Sequence, residues 1–371
     1  MHFNSFRVLA ILALCYAAAY STAMSASYSR HYFYVGGKYI QVTSGNTTSQ
    51  YRVGQIYVEK LTPPIVTKPY PIIFIAGSGQ TGTNFLHTPD GREGWAHYFL
   101  SQGYVVYLSD QPERGRSPWL PGHGEMVALT TSEIENFFTA TQDFNLWPQA
   151  SLHTQWPGSG LVGDPVFDAF YATQVQLQND DLIAEATNAA AYTALVDYLN
   201  QTVYLLTHSQ AGPFGWRVGD ARPNLVKKIV ALEPGGPPFE GVFPFFGPHP
   251  YGITDLAVEY DPPAGPNGSY LSTIVRPAPP GTNLTDCILQ ADPPKQLVNL
   301  AKVSVLVVTS ESSYHAPYDY CTVDYLKQAG VATDFFDLPM IGIRGNGHMM
   351  FMEKNNLEIA EQILAWMEGD N

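Results

Sequence analysis

The sequence predicts an α/β fold built on a mostly parallel sheet. Five short runs are apolar throughout and end in turn residues: 71–77, 104–110, 202–209, 227–234 and 303–310. Residues that are apolar on both faces are typical of a buried parallel strand. Segments with helical periodicity lie between or after these runs, at 94–103, 186–201 and 355–370. Because strands and helices alternate along the chain, we expect a single α/β domain with helices on both faces of the sheet.

Two further strands and two insertions complete the predicted domain, which spans 27–371. Residues 32–42 and 51–61 alternate aromatic or β-branched residues with polar ones, which predicts an antiparallel entry into the sheet. The stretches at about 118–181 and 235–294 are too long for ordinary connections and are predicted to form a cap. The aromatic residues expected to wall a pocket there are Trp119, Trp147, Trp156, Phe167, Phe243, Phe245 and Phe246.

Composition and charge exclude several classes of protein. Hydrophobic residues make up 45% of the 371 residues, which is ample for a large core and argues against disorder. The 19 basic and 33 acidic residues give a net charge of −14. A nucleic-acid partner is not expected, because phosphate binding requires a basic surface.

The N-terminus has the pattern of a secretory signal peptide over residues 1–23. An apolar run from Val8 to Ala19 follows a short polar segment and precedes small residues, so cleavage is expected near Ala23 or Ala26. Twelve apolar residues are too few to cross a bilayer, which takes about 20. No later segment is long and apolar enough for a membrane helix, so we expect a secreted protein without stable membrane insertion.

Cysteines and glycosylation motifs agree with that compartment. Cys15 would leave with the signal peptide, and Cys287 and Cys321 are expected to form a disulfide. Four N-x-[ST] motifs are candidate glycosylation sites: Asn46, Asn200, Asn267 and Asn283.

A candidate nucleophile follows the third apolar run. The segment Thr-His-Ser-Gln-Ala-Gly places Ser209 between a predicted strand and a predicted helix. It is a variant of G-x-S-x-G, with Thr207 at the first glycine position. Small residues at such a sharp turn expose the serine hydroxyl to substrate, and the following helix N-terminus favours a developing oxyanion. An ordinary helix cap is the structural alternative.

A serine needs a base, and the best candidate is His348. This histidine lies in Gly345-Asn346-Gly347-His348, just before the last predicted helix. Two carboxylates follow strand ends and are candidates for the residue that orients the histidine: Glu233 and Glu311. Spacing alone does not decide between them.

The turn after the first apolar run is a candidate oxyanion loop. It reads Ala76-Gly77-Ser78-Gly79, and small residues would let the main chain approach the substrate. We expect the backbone N–H groups of Ser78 and Gln210 to bind the oxyanion.

The same turn carries a competing motif. Gly77, Gly79 and Gly82 spell G-x-G-x-x-G, as in dinucleotide-binding proteins. The next residues contain a proline and two glycines, so no helix is predicted to begin at these glycines. The chain shows no H-E-x-x-H motif and no Cys/His spacing typical of a metal site. Neither a cofactor nor a catalytic metal is therefore expected.

Several longer segments resemble the α/β-hydrolase superfamily and, more narrowly, the bacterial esterase group typified by Alcaligenes esterase 713. They are 76–118, which contains P-D-G-R-E-G-W and R-G-R-S, and the shorter T-H-S-Q-A-G, A-L-E-P-G-G and G-N-G-H-M-M-F-M-E-K-N-N. The resemblance implies an α/β-hydrolase fold and a catalytic acid in an L-E-P-like turn, which favours Glu233 over Glu311. The group has His-Gly-Cys-Cys where this chain has 76–79, and a small residue where it has Glu113.

Together these features predict a secreted serine hydrolase acting on a carboxylic ester or lactone. Ser209, His348 and Glu233 would form the triad, and the aromatic cap favours an apolar or aromatic substrate. Two alternatives keep the fold: a non-hydrolytic acyl transfer, lyase or cyclisation step, and a non-catalytic binding protein. The sequence does not predict the oligomeric state.

Overall fold

The computed structural model describes residues 27–369. The predicted signal peptide, its cleavage site and Cys15 lie outside this range. Within it, the main sheet contains eight strands. They are β1 (Ser29–Ser44), β2 (Thr47–Thr62), β3 (Ile72–Ile75), β4 (Val106–Asp110), β5 (Val203–His208), β6 (Val226–Leu232), β7 (Ser304–Thr309) and β8 (Thr333–Asp337).

The strand order across the sheet is β1-β2-β4-β3-β5-β6-β7-β8. The β1/β2 and β2/β4 pairs are antiparallel, and every other neighbouring pair is parallel. The prediction of a mostly parallel sheet with an antiparallel entry is therefore confirmed. In register, His208 lies opposite Leu232 and Leu232 lies opposite Val308. The residues that follow β5, β6 and β7 consequently emerge side by side at one edge of the sheet.

The described part of the chain contains six helices of seven residues or more. They are α1 (Trp95–Ser101), α2 (Pro165–Tyr171), α3 (Asp181–Leu199), α4 (Ala211–Ala221), α5 (Asp319–Gln328) and α6 (Asn356–Glu368). Helix α3 begins where the Asp180 carboxylate accepts from Ile183 N–H, and it ends at Asn200 in the left-handed conformation. Across residues 27–369 no helix combines the length and apolarity needed to cross a bilayer.

The sheet separates two hydrophobic cores because side chains alternate between its faces. In β3, Ile72 and Phe74 join one core, whereas Ile73 and Ile75 join the other. The first core includes Trp95 from α1, and the second includes Trp216 from α4. Helices therefore cover both faces, which explains why the central strands are apolar along their whole length.

The two predicted insertions contain only short elements. Residues 118–181 include the strands Met126–Val127 and Leu177–Gln178, the helical segments Thr131–Ile134, Glu135–Thr139, Thr141–Phe144 and Ala150–Leu152, and α2. Residues 235–294 form two small strand pairs, Glu240–Gly241 with Gly247–Pro248 and Thr273–Arg276 with Cys287–Gln290, and the turn Pro266–Gly268. Three further 3-10 turns lie elsewhere: Gly82–Phe85, Leu300–Lys302 and Leu338–Ile341.

Candidate active site

Ser209 occupies the sharp turn between β5 and α4. Its φ angle of 56° lies in the left-handed region, which non-glycine residues rarely adopt. The turn is held by hydrogen bonds: Ser209 N–H donates to the Leu232 carbonyl, and the Ser209 carbonyl accepts from Gly212 and Gly235. Such strain costs about 1–3 kcal/mol and is typical of functional sites. The side chain is the expected nucleophile, set at the carboxyl edge of the sheet.

The structure brings Glu233 and His348 together beside this turn. Glu233 directly follows β6, and its Oε2 accepts a hydrogen bond from His348 Nδ1 at 2.5 Å. The same carboxylate accepts from Ser310 N–H at 2.8 Å and from the Ser313 hydroxyl at 2.6 Å. These three hydrogen bonds hold the carboxylate in one orientation.

Burial shifts both ionisable groups of this pair. Both side chains are almost completely inaccessible to solvent. Burial and the nearby Asp319 carboxylate raise the pKa of Glu233, while the hydrogen bonds from Ser313 and Ser310 act in the opposite direction. Burial, together with His208 and His315, lowers the pKa of His348. A neutral imidazole is the form that is able to accept a proton from a serine.

Glu311, the alternative acid, lies elsewhere. Its carboxylate forms an ion pair with Arg344 at 2.5 Å and accepts from Gly345 N–H at 2.8 Å. Glu311 therefore stabilises the loop before His348, and its carboxylate makes no hydrogen bond to the imidazole. Of the two carboxylates that spacing left open, the structure places Glu233 at the histidine.

A second carboxylate, Glu353, supports the same loop and was not identified from the sequence. It accepts from Gly347 N–H at 2.9 Å and from the Asn346 amide at 2.7 Å, and it pairs with His153 Nε2 at 2.7 Å. The carboxylate is completely buried. These contacts fix the backbone directly before His348, and nothing in the local sequence marks Glu353 for this role.

The candidate oxyanion loop passes directly against the nucleophile. A Cβ atom on Gly77 would lie 2.7 Å from His208 Nδ1 and 2.9 Å from Ser209 Cβ, so only glycine fits there. Ser78 follows at this close approach, and Gln210 forms the N-cap of α4. The structure thus places both residues next to Ser209.

Arg114 forms hydrogen bonds to both of the segments that contain Ser78 and Gln210. One guanidinium nitrogen donates to the Gly77 carbonyl at 2.7 Å, and the other donates to the Gln210 side-chain oxygen at 2.6 Å. The side chain is buried, which lowers the pKa of Arg114 to about 10. Its neighbour Arg116 instead pairs with the Asp110 carboxylate at the end of β4, at 2.7 Å.

Tyr314 is a further site residue that the sequence did not reveal. Its hydroxyl lies 3.1 Å from His348 Nε2, the nitrogen opposite the one bound to Glu233. His315 stacks on His348, with ring centroids 4.9 Å apart and planes 5° apart, and its Nδ1 pairs with Asp319 at 2.8 Å. The sequence signal was available but weak: a Tyr-His pair shortly after a strand end.

The cluster of Glu233, His315 and His348 also has the residue types of a metal site. One ligand atom of each lies within 4.8 Å of the others. Both imidazoles, however, use Nδ1 in a hydrogen bond to a carboxylate. The donor set is therefore already organised as two histidine–carboxylate pairs.

Aromatic side chains surround the candidate site, and the predicted cap residues divide into two groups. Phe245 and Trp147 pack against Tyr314, with ring centroids 5.5 and 6.0 Å apart, and Phe138 stacks on His348 at 5.2 Å. The others contact different partners or solvent: Phe243 packs on Phe137, Trp156 on Phe170 and Phe167 on Tyr171, and Trp119 and Phe246 are exposed.

The remaining predicted positions lie away from this site. Cys287 and Cys321 form a disulfide that joins the strand Cys287–Gln290 to α5. The four asparagines of the N-x-[ST] motifs are all exposed: Asn46, Asn200, Asn267 and Asn283.

This sheet order, with a strained serine after β5 and a buried acid–histidine pair at the same edge, defines an α/β hydrolase. A solved structure described as that of a novel bacterial esterase has the same fold. It superposes with a TM-score of 0.60 at 23% sequence identity, covering 91% of this chain and 95% of the esterase.

A second protein is much more similar in sequence to this chain. The chain is 60% identical over 338 residues to a probable secreted lipase, phiG, of Fungal sp. (strain ATCC 74256), covering 91% of this chain and 89% of the lipase. No family model matches the chain. The chain therefore belongs to the α/β-hydrolase family that includes this lipase, and the predicted secretion is confirmed.

Proposed function

We propose that this chain is a serine hydrolase that cleaves a carboxylic ester or lactone, with Ser209, His348 and Glu233 as its triad. The observation that carries the proposal is the 2.5 Å contact between His348 Nδ1 and Glu233 Oε2 beside a serine held at positive φ. The esterase and lipase names of the similar proteins support the same chemistry.

Each residue has a defined task in this mechanism. Ser209 Oγ attacks the carbonyl carbon while His348 Nε2 takes its proton, and Glu233 keeps the imidazole in the tautomer with hydrogen on Nδ1. The N–H groups of Ser78 and Gln210 would stabilise the oxyanion. Water then attacks the acyl-enzyme with His348 as base, and no cofactor takes part.

The tight packing around the oxyanion loop supports this assignment. Gly77 approaches Ser209 more closely than any other residue type would allow, and Arg114 bonds both Gly77 and Gln210. Oxyanion donors are effective when they are positioned before the reaction begins. Arg114 is therefore a positioning residue for the proposed oxyanion hole.

An apolar or aromatic substrate fits the surroundings of the triad. Phe138, Phe245 and Trp147 lie around His348 and Tyr314. Burying an acyl chain against such rings gains about 25 cal/mol per Å² of apolar surface. Residues 118–181 and 235–294, which supply these rings, are proposed to act as the cap. Glycans at the four exposed N-x-[ST] asparagines are likewise proposed.

The proposal is tested by hydrolysis of p-nitrophenyl esters from acetate to dodecanoate and of the aromatic lactone dihydrocoumarin. We expect wild-type protein to hydrolyse members of this set and S209A to lose hydrolysis, falling by about 10³-fold or more. S101A is the matched control, because it removes an exposed serine hydroxyl at the end of α1 that contacts only Tyr98 and Gln102. Hydrolysis that persists in folded S209A would show that another group is the nucleophile.

A further inference from the structure

His208 is a buried histidine that the proposed mechanism does not use. It is the last residue of β5, directly before Ser209, and its side chain is inaccessible to solvent. Its Nε2 lies 3.0 Å from the main-chain carbonyl oxygen of His348, and the centroids of the two imidazoles are 4.4 Å apart. A Cβ atom on Gly77 would lie 2.7 Å from its Nδ1. One side chain, adjacent in sequence to the nucleophile, therefore lies against both the base and the candidate oxyanion loop.

The contact with His348 fixes the tautomer of His208. A carbonyl oxygen only accepts, so Nε2 of His208 must carry the hydrogen, and Nδ1 is left with a lone pair. Among residues 27–369 this Nδ1 has no hydrogen-bond partner. Burial lowers the pKa of His208 to about 3, so the imidazole stays neutral throughout the mildly acidic and neutral range. His208 is therefore a permanent donor to the main chain of His348.

Filling the core does not explain a histidine at position 208. A buried acceptor without a partner lowers stability, and Nδ1 is such an acceptor. The surroundings accept an apolar ring, because Phe351 packs edge-on against His208 with ring centroids 4.9 Å apart. A phenylalanine at position 208 would fill similar space and leave no orphaned nitrogen. What it could not supply is the N–H that donates to the carbonyl of His348.

This hydrogen bond completes the anchoring of the main chain around His348. On the N-terminal side, Glu353 accepts from Gly347 N–H at 2.9 Å. On the C-terminal side, His208 donates to the carbonyl of His348 itself. The side chain has a third anchor, because Nδ1 lies 2.5 Å from the Glu233 carboxylate. With the main chain held on both sides of Cα and the ring held at Nδ1, the direction of Nε2 is determined.

We propose that His208 is a positioning residue that directs Nε2 of His348 toward the hydroxyl of Ser209. It contacts no substrate and transfers no proton. Its Nε2–H holds the main chain of His348 while its ring lies beside Gly77, so the base and the oxyanion loop keep a fixed spacing around the nucleophile. A misplacement of about 1 Å in such a site can cost about 100-fold in rate. The role rests on the proposed function, because it needs His348 as base and Ser209 as nucleophile.

Replacement of His208 by glutamine and by asparagine tests this role with a matched pair. Counted in bonds from Cα, the amide nitrogen of glutamine lies as far along the side chain as Nε2, whereas that of asparagine lies only as far as Nδ1. H208Q is therefore able to donate to the carbonyl of His348, and H208N is not. Both variants lose the ring, so a loss of packing alone affects both.

We expect kcat for p-nitrophenyl ester hydrolysis to fall by about 10–100-fold in H208N, with KM within about threefold of wild type, because the base acts in the transition state. H208Q should keep at least about five times the kcat of H208N at a similar free energy of unfolding. H31N is the surface control: His31 is an exposed residue of β1, and its replacement should leave kcat within about twofold.

Nitrogen-15 NMR of histidine-labelled wild-type protein tests the hydrogen bond itself. The His208 signals are assigned by their loss in H208Q or H208N, and we expect a neutral imidazole with hydrogen on Nε2 from about pH 5 to about pH 8. Hydrogen on Nδ1, titration within this range, or equal kcat in folded H208Q and H208N would overturn the positioning role. Fluorophosphonate labelling of Ser209 is measured alongside, and a folded wild-type protein that is not labelled would overturn the proposed function instead, whatever the tautomer of His208.

Discussion

Replacement of Glu233 by glutamine tests the proposed acid with little change in shape. In the structure the carboxylate accepts from three donors: Ser310 N–H, the Ser313 hydroxyl and His348 Nδ1. A glutamine amide has one oxygen and one NH₂ group, so it cannot accept from all three. The Ser310 N–H belongs to the backbone and cannot rotate, whereas the serine hydroxyl and the imidazole tautomer are free to change.

The amide oxygen is therefore expected to face Ser310, and the NH₂ group to face His348. Nδ1 would then have to accept, which moves the imidazole proton to Nε2 and blocks it as a base. The corresponding acid-to-amide change in a serine protease costs about 10⁴-fold in kcat through the wrong tautomer. For E233Q we expect a loss of about 10³–10⁴-fold in kcat, or about 4–5.5 kcal/mol of transition-state stabilisation.

The assay is kcat for p-nitrophenyl ester hydrolysis, with E311Q as the matched control. Glu311 contacts Arg344 and Gly345 and not the imidazole, so E311Q should lose about fivefold at most. Burial raises the pKa of Glu233, so removing its charge should leave the free energy of unfolding unchanged or higher. Folded E233Q that keeps more than a tenth of wild-type kcat, with a greater loss in E311Q, would refute the assignment.

Three further predictions follow from the geometry. Burial lowers the pKa of His348, so the imidazole stays neutral as the pH falls. The acid limb of the kcat/KM profile should therefore lie below pH 6.5, and an acid limb above pH 7 would contradict this prediction. G77A should lower the free energy of unfolding by about 1–3 kcal/mol and kcat/KM by up to about 100-fold, because its Cβ would lie 2.9 Å from Ser209 Cβ. An unchanged denaturant midpoint together with unchanged kinetics would show that the loop has room for a methyl group. Replacing Cys287 and Cys321 with alanine should lower the free energy of unfolding by about 3–4 kcal/mol. This is the stabilisation expected in the chain-entropy model from a disulfide that closes a loop with a sequence separation of 34. Urea denaturation without reductant measures the difference, and an unchanged free energy of unfolding would refute the prediction.

The sequence predicted the sheet well because its central strands are buried on both faces. Continuous apolar runs marked β3 to β7, and parallel strands bring their following residues to one edge. This is why Ser209 and Glu233, which are close in the fold, were both found at strand ends. Strand β8 was not predicted, because Thr-Asp-Phe-Phe-Asp lies at the edge of the sheet, partly exposed, and shows no apolar run.

The choice of acid shows where local patterns stop being informative. Glu233 and Glu311 both follow buried strands, and the difference between them lies in their partners. Glu311 forms an ion pair with Arg344, which is 33 residues away in the sequence and lies in no recognisable motif. From the sequence, only the resemblance to a known esterase group favoured Glu233 over Glu311 as the acid.

The supporting residues could not have been predicted from the sequence, because their contacts are long-range. Arg114 bonds groups 37 and 96 residues away, and Glu353 pairs with a histidine 200 residues away. Tyr314 reaches His348 across 34 residues, through a loop whose path depends on hydrogen bonds to Glu233 and Asn346. Such contacts depend on how the chain folds and not on spacing along it.

The most direct test of the central claim is covalent labelling of the proposed nucleophile. Secreted wild-type protein and S209A would be treated with a fluorophosphonate probe, deglycosylated and weighed intact by mass spectrometry. The account predicts one adduct on the wild type and none on S209A, because only a serine with an adjacent base reacts. A well-folded wild-type protein that gains no adduct, or an adduct that persists in S209A, would contradict it.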